Sequence, residues 1–192
     1  MNGKNCVLWS VALAFAVCAL GFRAAGGAEA DDDTAKLLKA LPKSKLSLAK
    51  GIQQATRKSP EAAISAKFEL DGGKLSLSVY TVEQGLGADA EHNALKELSG
   101  SPEGDKWSPE VEVFKDVPHV ARASQQLTLI SLTKLSLLDI IKKAEKDHPG
   151  TVFSIAPVLH DHKGAFVVLV TADGKVAEFH YDLMTGEPLP KK

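Results

Sequence analysis

Lys45-Leu46-Ser47-Leu48 returns later in the chain as Lys134-Leu135-Ser136-Leu137. Holding that offset, Ile52 falls on Ile141, Ala55 on Ala144, Pro60 on Pro149, Ser65 on Ser154 and Leu70 on Leu159, with no gap. Internal repetition at a fixed spacing marks structural units, so the chain reads as two small modules in tandem.

Each copy opens the same way. Ser47 and Ser136 are good N-caps, because a serine hydroxyl accepts from a backbone N–H that a helix start leaves unpaired. Leu48, Ile52 and Ala55, and in the second copy Leu137, Ile141 and Ala144, recur every three or four residues, the spacing of one helix face. Asp139 follows Ser136 by three and completes a capping-box pattern. Pro60 and Pro149-Gly150 stop the helices.

Period-two patterns follow. Ile64, Ala66, Phe68 and Leu70 alternate with Ser65, Lys67 and Glu69, which is a half-buried strand. Asp71-Gly72-Gly73 is a turn, and the chain returns through Leu75, Leu77 and Val79. In the second copy Phe153, Ile155 and Leu159 lead to a turn over His160 to Gly164. Ala165 to Thr171 is almost wholly apolar and is expected to need cover on both faces, the second cover coming from the sister module. Asp173-Gly174 makes a tight hairpin, and Lys175 to Asp182 alternates again. The fold class expected is α+β: two tandem modules, each a helix packed on a small antiparallel sheet of about three strands. Whether the modules share one sheet stays open.

Between the copies the pattern weakens. Gly85 to Lys106 shows no strand signal, and Asp89 to Leu98 reads as a short helix. Ser99 to Gly104 reads as an exposed loop. Glu110 to Phe114, where Val111 and Val113 alternate with Glu110 and Glu112, is the expected third strand of the first module. A helix is expected from Asp116, with Val120, Ala123, Leu127 and Ile130 on one stripe. Trp107 is read as a cap over the gap between modules.

The N-terminus has the form of a secretory signal: Lys4, an apolar run from Val7 to Leu20, then small residues and Ala28-Glu29-Ala30. The run is shorter than the ~20 residues a spanning helix needs, so no stable membrane insertion is expected after cleavage. Both cysteines, Cys6 and Cys18, lie inside this segment, and the cleaved chain would have no disulfide. The whole chain carries 23 basic and 24 acidic residues, a net charge of −1. That balance argues against a general nucleic-acid binder, which would show a basic face.

The second module resembles a PepSY domain. The resemblance rests on Leu135-Ser136-Leu137 entering a helix, Pro149-Gly150 closing it, and the ending Asp173-Gly174-Lys175 through Tyr181-Asp182-Leu183-Met184-Thr185-Gly186-Glu187. The first module keeps the helix and hairpin but has no Asp-x-x-Thr-Gly ending. Along the chain this implies a signal peptide at 1–30, a lead at 31–44, a degenerate PepSY-like module at 45–116, a helical connector at 117–133 and a PepSY-like module at 134–192. The resemblance implies an exported binding or inhibitory module without shared catalytic residues. It points to a polypeptide partner such as a peptidase, in a secreted or periplasmic setting.

The residues themselves name no reaction. No mature cysteine, Gly-x-Ser-x-Gly elbow, His-Glu-x-x-His or phosphate-cradling glycine loop is present, so neither catalytic nor cofactor-binding residues are expected. A rival reading uses His160, Asp161 and His162, with His148 and His180, as ligands of a metal-binding or sensory envelope protein, since imidazole and carboxylate suit zinc or copper. The competing explanation of the three is a polar surface turn. Asp182 with Thr185-Gly186 is read as a turn closed by the carboxylate.

Overall fold

The structure, a computed structural model, describes residues 32–190 apart from Ser59. The expected signal segment, with Cys6 and Cys18, lies outside the described residues. Helix α1 (Asp32–Ala40) ends in a 3₁₀ turn over Leu41–Lys43 that carries Pro42. Helix α2 (Leu48–Ala55) starts at Ser47, whose hydroxyl accepts from the Lys50 N–H at 3.2 Å. Strands β1 (Ala62–Asp71) and β2 (Lys74–Val82) form a hairpin, followed by β3 (Leu95–Gly100) and β4 (Glu110–Val113). Helix α3 (Val117–Ser131) is capped by Asp116, and α4 (Leu137–Asp147) by the Ser136–Asp139 capping box. Strands β5 (Thr151–His160), β6 (Lys163–Ala172) and β7 (Lys175–Asp182) complete the chain.

All seven strands form one antiparallel sheet in the order β4-β3-β2-β1-β5-β6-β7. The halves meet where β1 pairs β5, with Ala66 opposite Ile155 and Lys67 opposite Ser154. The offset that carries Lys45 to Lys134 also carries β1 onto β5 and the start of β2 onto the start of β6. Even the irregularities coincide. One register shift lies between Ala63 and Ser65 and another between Val152 and Ser154, so Ile64 and its counterpart Phe153 are the bulged residues.

Successive strand residues point to opposite faces, which sorts the sheet into two sides. Phe68 and Leu77 oppose each other on the side that meets α2, where Gly51 packs its backbone on the Leu77 side chain. Helix α4 contacts α2 and lies over β5, β6 and β1. Leu48, Ile52, Leu77, Ile141, Ile155, Phe166 and Val168, all at most 3% exposed, belong to one continuous core that runs across both halves. Helix α3 packs on the other side, against β1, β5 and β3.

The open question of the sheet is answered: both halves share one, to which the second half contributes three strands and the first half four. Two expectations need correction. The third strand of the first half is Leu95–Gly100, inside the segment expected to be structureless and helical; only Ala90–His92 makes a 3₁₀ turn there. Leu95 and Leu98 have helical spacing, yet six registered pairs with β2 decide the conformation. Strand β6 is not sandwiched by a sister module. Its Phe166, Val168 and Val170 are buried, whereas Val167 and Leu169 on the opposite side stay half-buried, because the sister half joins edge to edge.

Trp107 is buried in the β3–β4 loop, where its indole N–H donates to the Gly100 carbonyl at 3.2 Å. The loop is tied to the start of the first half, through the Lys45 N–H donating to the Pro102 carbonyl and a Lys45–Asp105 ion pair. The indole's hydrogen-bond partner thus lies in the first half rather than across a gap between modules.

Candidate functional site

The side of the sheet under α3 is polar, and that is unusual for a covered surface. Strand alternation brings Ser65, Lys67 and Glu69 from β1 beside Ser78 and Tyr80 from β2 and Glu97 from β3. Lys67 Nζ lies 2.7 Å from Glu69 Oε2, and the Ser78 hydroxyl donates to Glu69 Oε1 at 2.6 Å. Lys67 also sits 5.7 Å from the Tyr80 ring centroid. From α3, Gln126 accepts the Ser65 hydroxyl at 2.7 Å. Arg122 joins the same cluster and lines a cleft of about 80 Å³ with Lys67, Tyr80, Phe114 and His119.

Burial governs the electrostatics here. It pushes the Lys67 ammonium below and the Glu97 carboxyl above their ordinary values, and it raises the Tyr80 phenol. Each shift has desolvation as its largest cause, so the charged groups are held in a drier place than their chemistry favours. Lys67 and Arg122 stand among Glu69 and Glu97, and His119 pairs with Asp116 at 2.7 Å. The cleft's chemistry is that of a polar packing layer joining α3 to the sheet.

The histidine cluster does not assemble into a metal centre. His160 stacks on His180 with centroids 4.0 Å apart, and its Nε2 lies 3.6 Å from Asp161 Oδ2. Asp161 and His162 form the β5–β6 turn with φ of 49° and 64°. His148 is stacked on Phe179 at 3.4 Å. Among the described residues, no group of three or more His, Cys, Asp or Glu is placed to hold a metal ion. His160, Asp161 and His162 thus make a polar turn rather than the metal site their sequence suggests.

Asp182 does close a turn. Its Oδ1 accepts from the Met184 and Thr185 N–H groups, each at 2.9 Å, and from the Thr185 hydroxyl at 3.1 Å. These bonds hold its carboxyl below the ordinary range, the Thr185 N–H contributing most. Gly186, at φ 69°, sets its α-carbon against Leu135 and Ile140. The turn thus anchors the end of the chain to the entry of α4.

It also brings the chain back against one end of the sheet's β7 edge. The Asp182 N–H donates to the Glu187 carbonyl and the Leu189 N–H to the His180 carbonyl, both at 2.8 Å, with a bridge between Tyr181 and Pro188. Residues 187–189 therefore lie beside the last three residues of β7, on its outer side. The opposite edge has no such cover: all four residues of β4 are exposed, Val111 to 60% and Val113 to 44%. The sequence marked Glu110–Phe114 as a strand but not as the sheet's outermost one, because β3 went unseen.

Comparison with known proteins bears on the segment that carries this turn. Residues 134–189 match the family model described as PepSY: Peptidase propeptide and YPEB domain. The PepSY match takes in α4, β5, β6, β7 and the Asp182–Gly186 turn. No curated protein sequence matches the chain. Among solved structures, a chain of Clostridium difficile 630 described as a putative lipoprotein aligns at 14% identity, over 76% of this chain and 91% of its own, with a TM-score of 0.38. Among the described residues, no helix is long and apolar enough to cross a membrane.

Proposed function

We propose that this chain is an exported, non-enzymatic protein that binds a polypeptide and modulates a peptidase or another envelope protein. The observation that carries the reading is the PepSY match at 134–189, a family whose description joins it to peptidase propeptides. Export is supported by the apolar run Val7 to Leu20 followed by Ala28-Glu29-Ala30. Polypeptide binding is supported by the uncovered β4, since a bare sheet edge offers N–H and C=O groups to an extended chain.

The same reading takes residues 45–116 as a diverged copy of 134–192, with 117–133 as connector. Its support is the coincidence of capped helix, hairpin and β-bulge at one offset. The first copy has lost the Asp-x-x-Thr-Gly turn, and its last strand lies open instead.

The test is an inhibition assay. Purified chain is added in excess to exported peptidases of the source organism, and peptide hydrolysis is followed. Dose-dependent slowing of at least one peptidase is expected. Unchanged rates across the panel, or hydrolysis by the chain itself, would remove the reading.

A further inference from the structure

The two edges of the sheet are treated differently, and the open one carries a chemical pattern. On β4, Glu110 and Glu112 point to one side of the sheet and Val111 and Val113 to the other, by strand alternation. Glu112 stands directly opposite Glu97, and Glu110 opposite Ser99. Two carboxylates facing each other across a strand pair repel. No basic residue lies on β4 to offset them. The valines beside them expose a large apolar area that the sheet leaves unused.

We infer that β4 accepts an extended segment of a partner polypeptide in which basic and apolar residues alternate. Such a segment adds an eighth strand. Its Lys or Arg side chains lie beside Glu110 and Glu112, and its apolar side chains lie beside Val111 and Val113. Main-chain hydrogen bonds supply a sequence-independent part of the affinity, and the alternation supplies the selectivity.

A second copy of this chain does not fit the same place. Antiparallel pairing of two β4 strands across a two-fold axis sets Glu110 and Glu112 against the same residues of the other copy. The charges that invite a basic strand thereby oppose self-association. The β7 edge differs from it, being occupied at one end, where residues 187–189 pair with His180, Tyr181 and Asp182.

This inference rests on the proposed polypeptide-binding function and names the partner's chemistry. The test uses the full chain and three fluorescein-labelled synthetic peptides: alternating Lys/Val, alternating Glu/Val, and the Lys/Val composition in two blocks. Fluorescence anisotropy at low salt is expected to show tightest binding of the alternating Lys/Val peptide. The Glu110→Lys/Glu112→Lys variant is expected to bind that peptide on the order of tenfold more weakly and to prefer the Glu/Val peptide. Equal affinities for wild type and variant, no binding of the Lys/Val peptide, or equal binding of the block peptide would each overturn the inference. Peptidase slowing that persists undiminished in the variant would also overturn it while leaving the proposed function standing. Absence of slowing by wild type counts against that function instead.

Discussion

Ala66 and Ile155 face each other across the β1–β5 seam, and each is the other's counterpart under the offset that carries Lys45 to Lys134. Both are at most 1% exposed, and the core beneath them draws on both halves. Neither half can lose its packing here without exposing the other.

The whole described chain should thus unfold in a single transition. Ile155→Ala is expected to cost about 2–4 kcal/mol, as large-to-small changes in packed cores do, and to move that transition as a unit. Calorimetry checks this, since the calorimetric and van't Hoff enthalpies should agree. Two separable transitions, only one of them shifted by the substitution, would contradict the shared core.

Thr81 is fully buried, and among the described residues its hydroxyl finds no hydrogen-bond partner. The second half has Val170 at the equivalent position. A buried, unpaired hydroxyl loses its water contacts without recompense. Thr81→Val keeps the shape and is expected to stabilise the protein by about 1 kcal/mol, measured by urea unfolding. Tyr181→Phe, which removes another buried and unpartnered hydroxyl, should be neutral or stabilising for the same reason.

Gly51 permits α2 to rest on Leu77, which is wholly buried. A Cβ at Gly51 would overlap Leu77 Cδ2 and lie 3.3 Å from Cγ. Helix propensity favours Gly51→Ala by about 1 kcal/mol, but overpacking a filled core costs roughly 1–3 kcal/mol. The net expectation is destabilisation. In a double-mutant cycle with Leu77→Ala, the new methyl occupies space the leucine vacates, so the two losses should sum to more than the double variant shows.

Acid and neutral pH should separate two carboxyl groups. The folded-state pKa of Asp182 is lowered, so its stabilising contribution is complete above the ordinary Asp value of about 4 and fades as pH falls through the lowered value. Asp182→Asn should therefore reduce stability at neutral pH and change little in strong acid. Glu97 has the opposite sign. Its folded pKa is raised by burial, so its contribution is present below the ordinary Glu value of about 4.3 and is lost as pH rises through the raised one. Glu97→Gln should raise stability at neutral pH and leave it unchanged below pH ~4. Urea midpoints of wild type and both variants across pH provide the check.

Much of this was legible in single stretches of sequence. Ser47 and Ser136 announced helix starts, Gly72-Gly73 and Asp173-Gly174 announced hairpins, and Asp182 with Gly186 announced a closed turn. In each, the residue and the backbone it constrains are neighbours in the chain. Leu95–Gly100 was illegible because its leucines are spaced for a helix and only β2 holds them as a strand. His160 and His162 looked like ligands because they are close in sequence, but His162 sits in the β5–β6 turn while His160 stacks on His180, a residue far along the chain.

The chain's own order of residues determined the caps, the turns and the alternation of Glu110 to Val113, because each depends on interactions spanning a few residues. Tertiary structure alone decided that the halves join edge to edge, that one outer strand is covered at its end and the other is bare, and that Glu112 meets Glu97. Those outcomes turn on pairings between distant strands, where backbone hydrogen bonds are indifferent to side chains and the burial of a common core selects the partner.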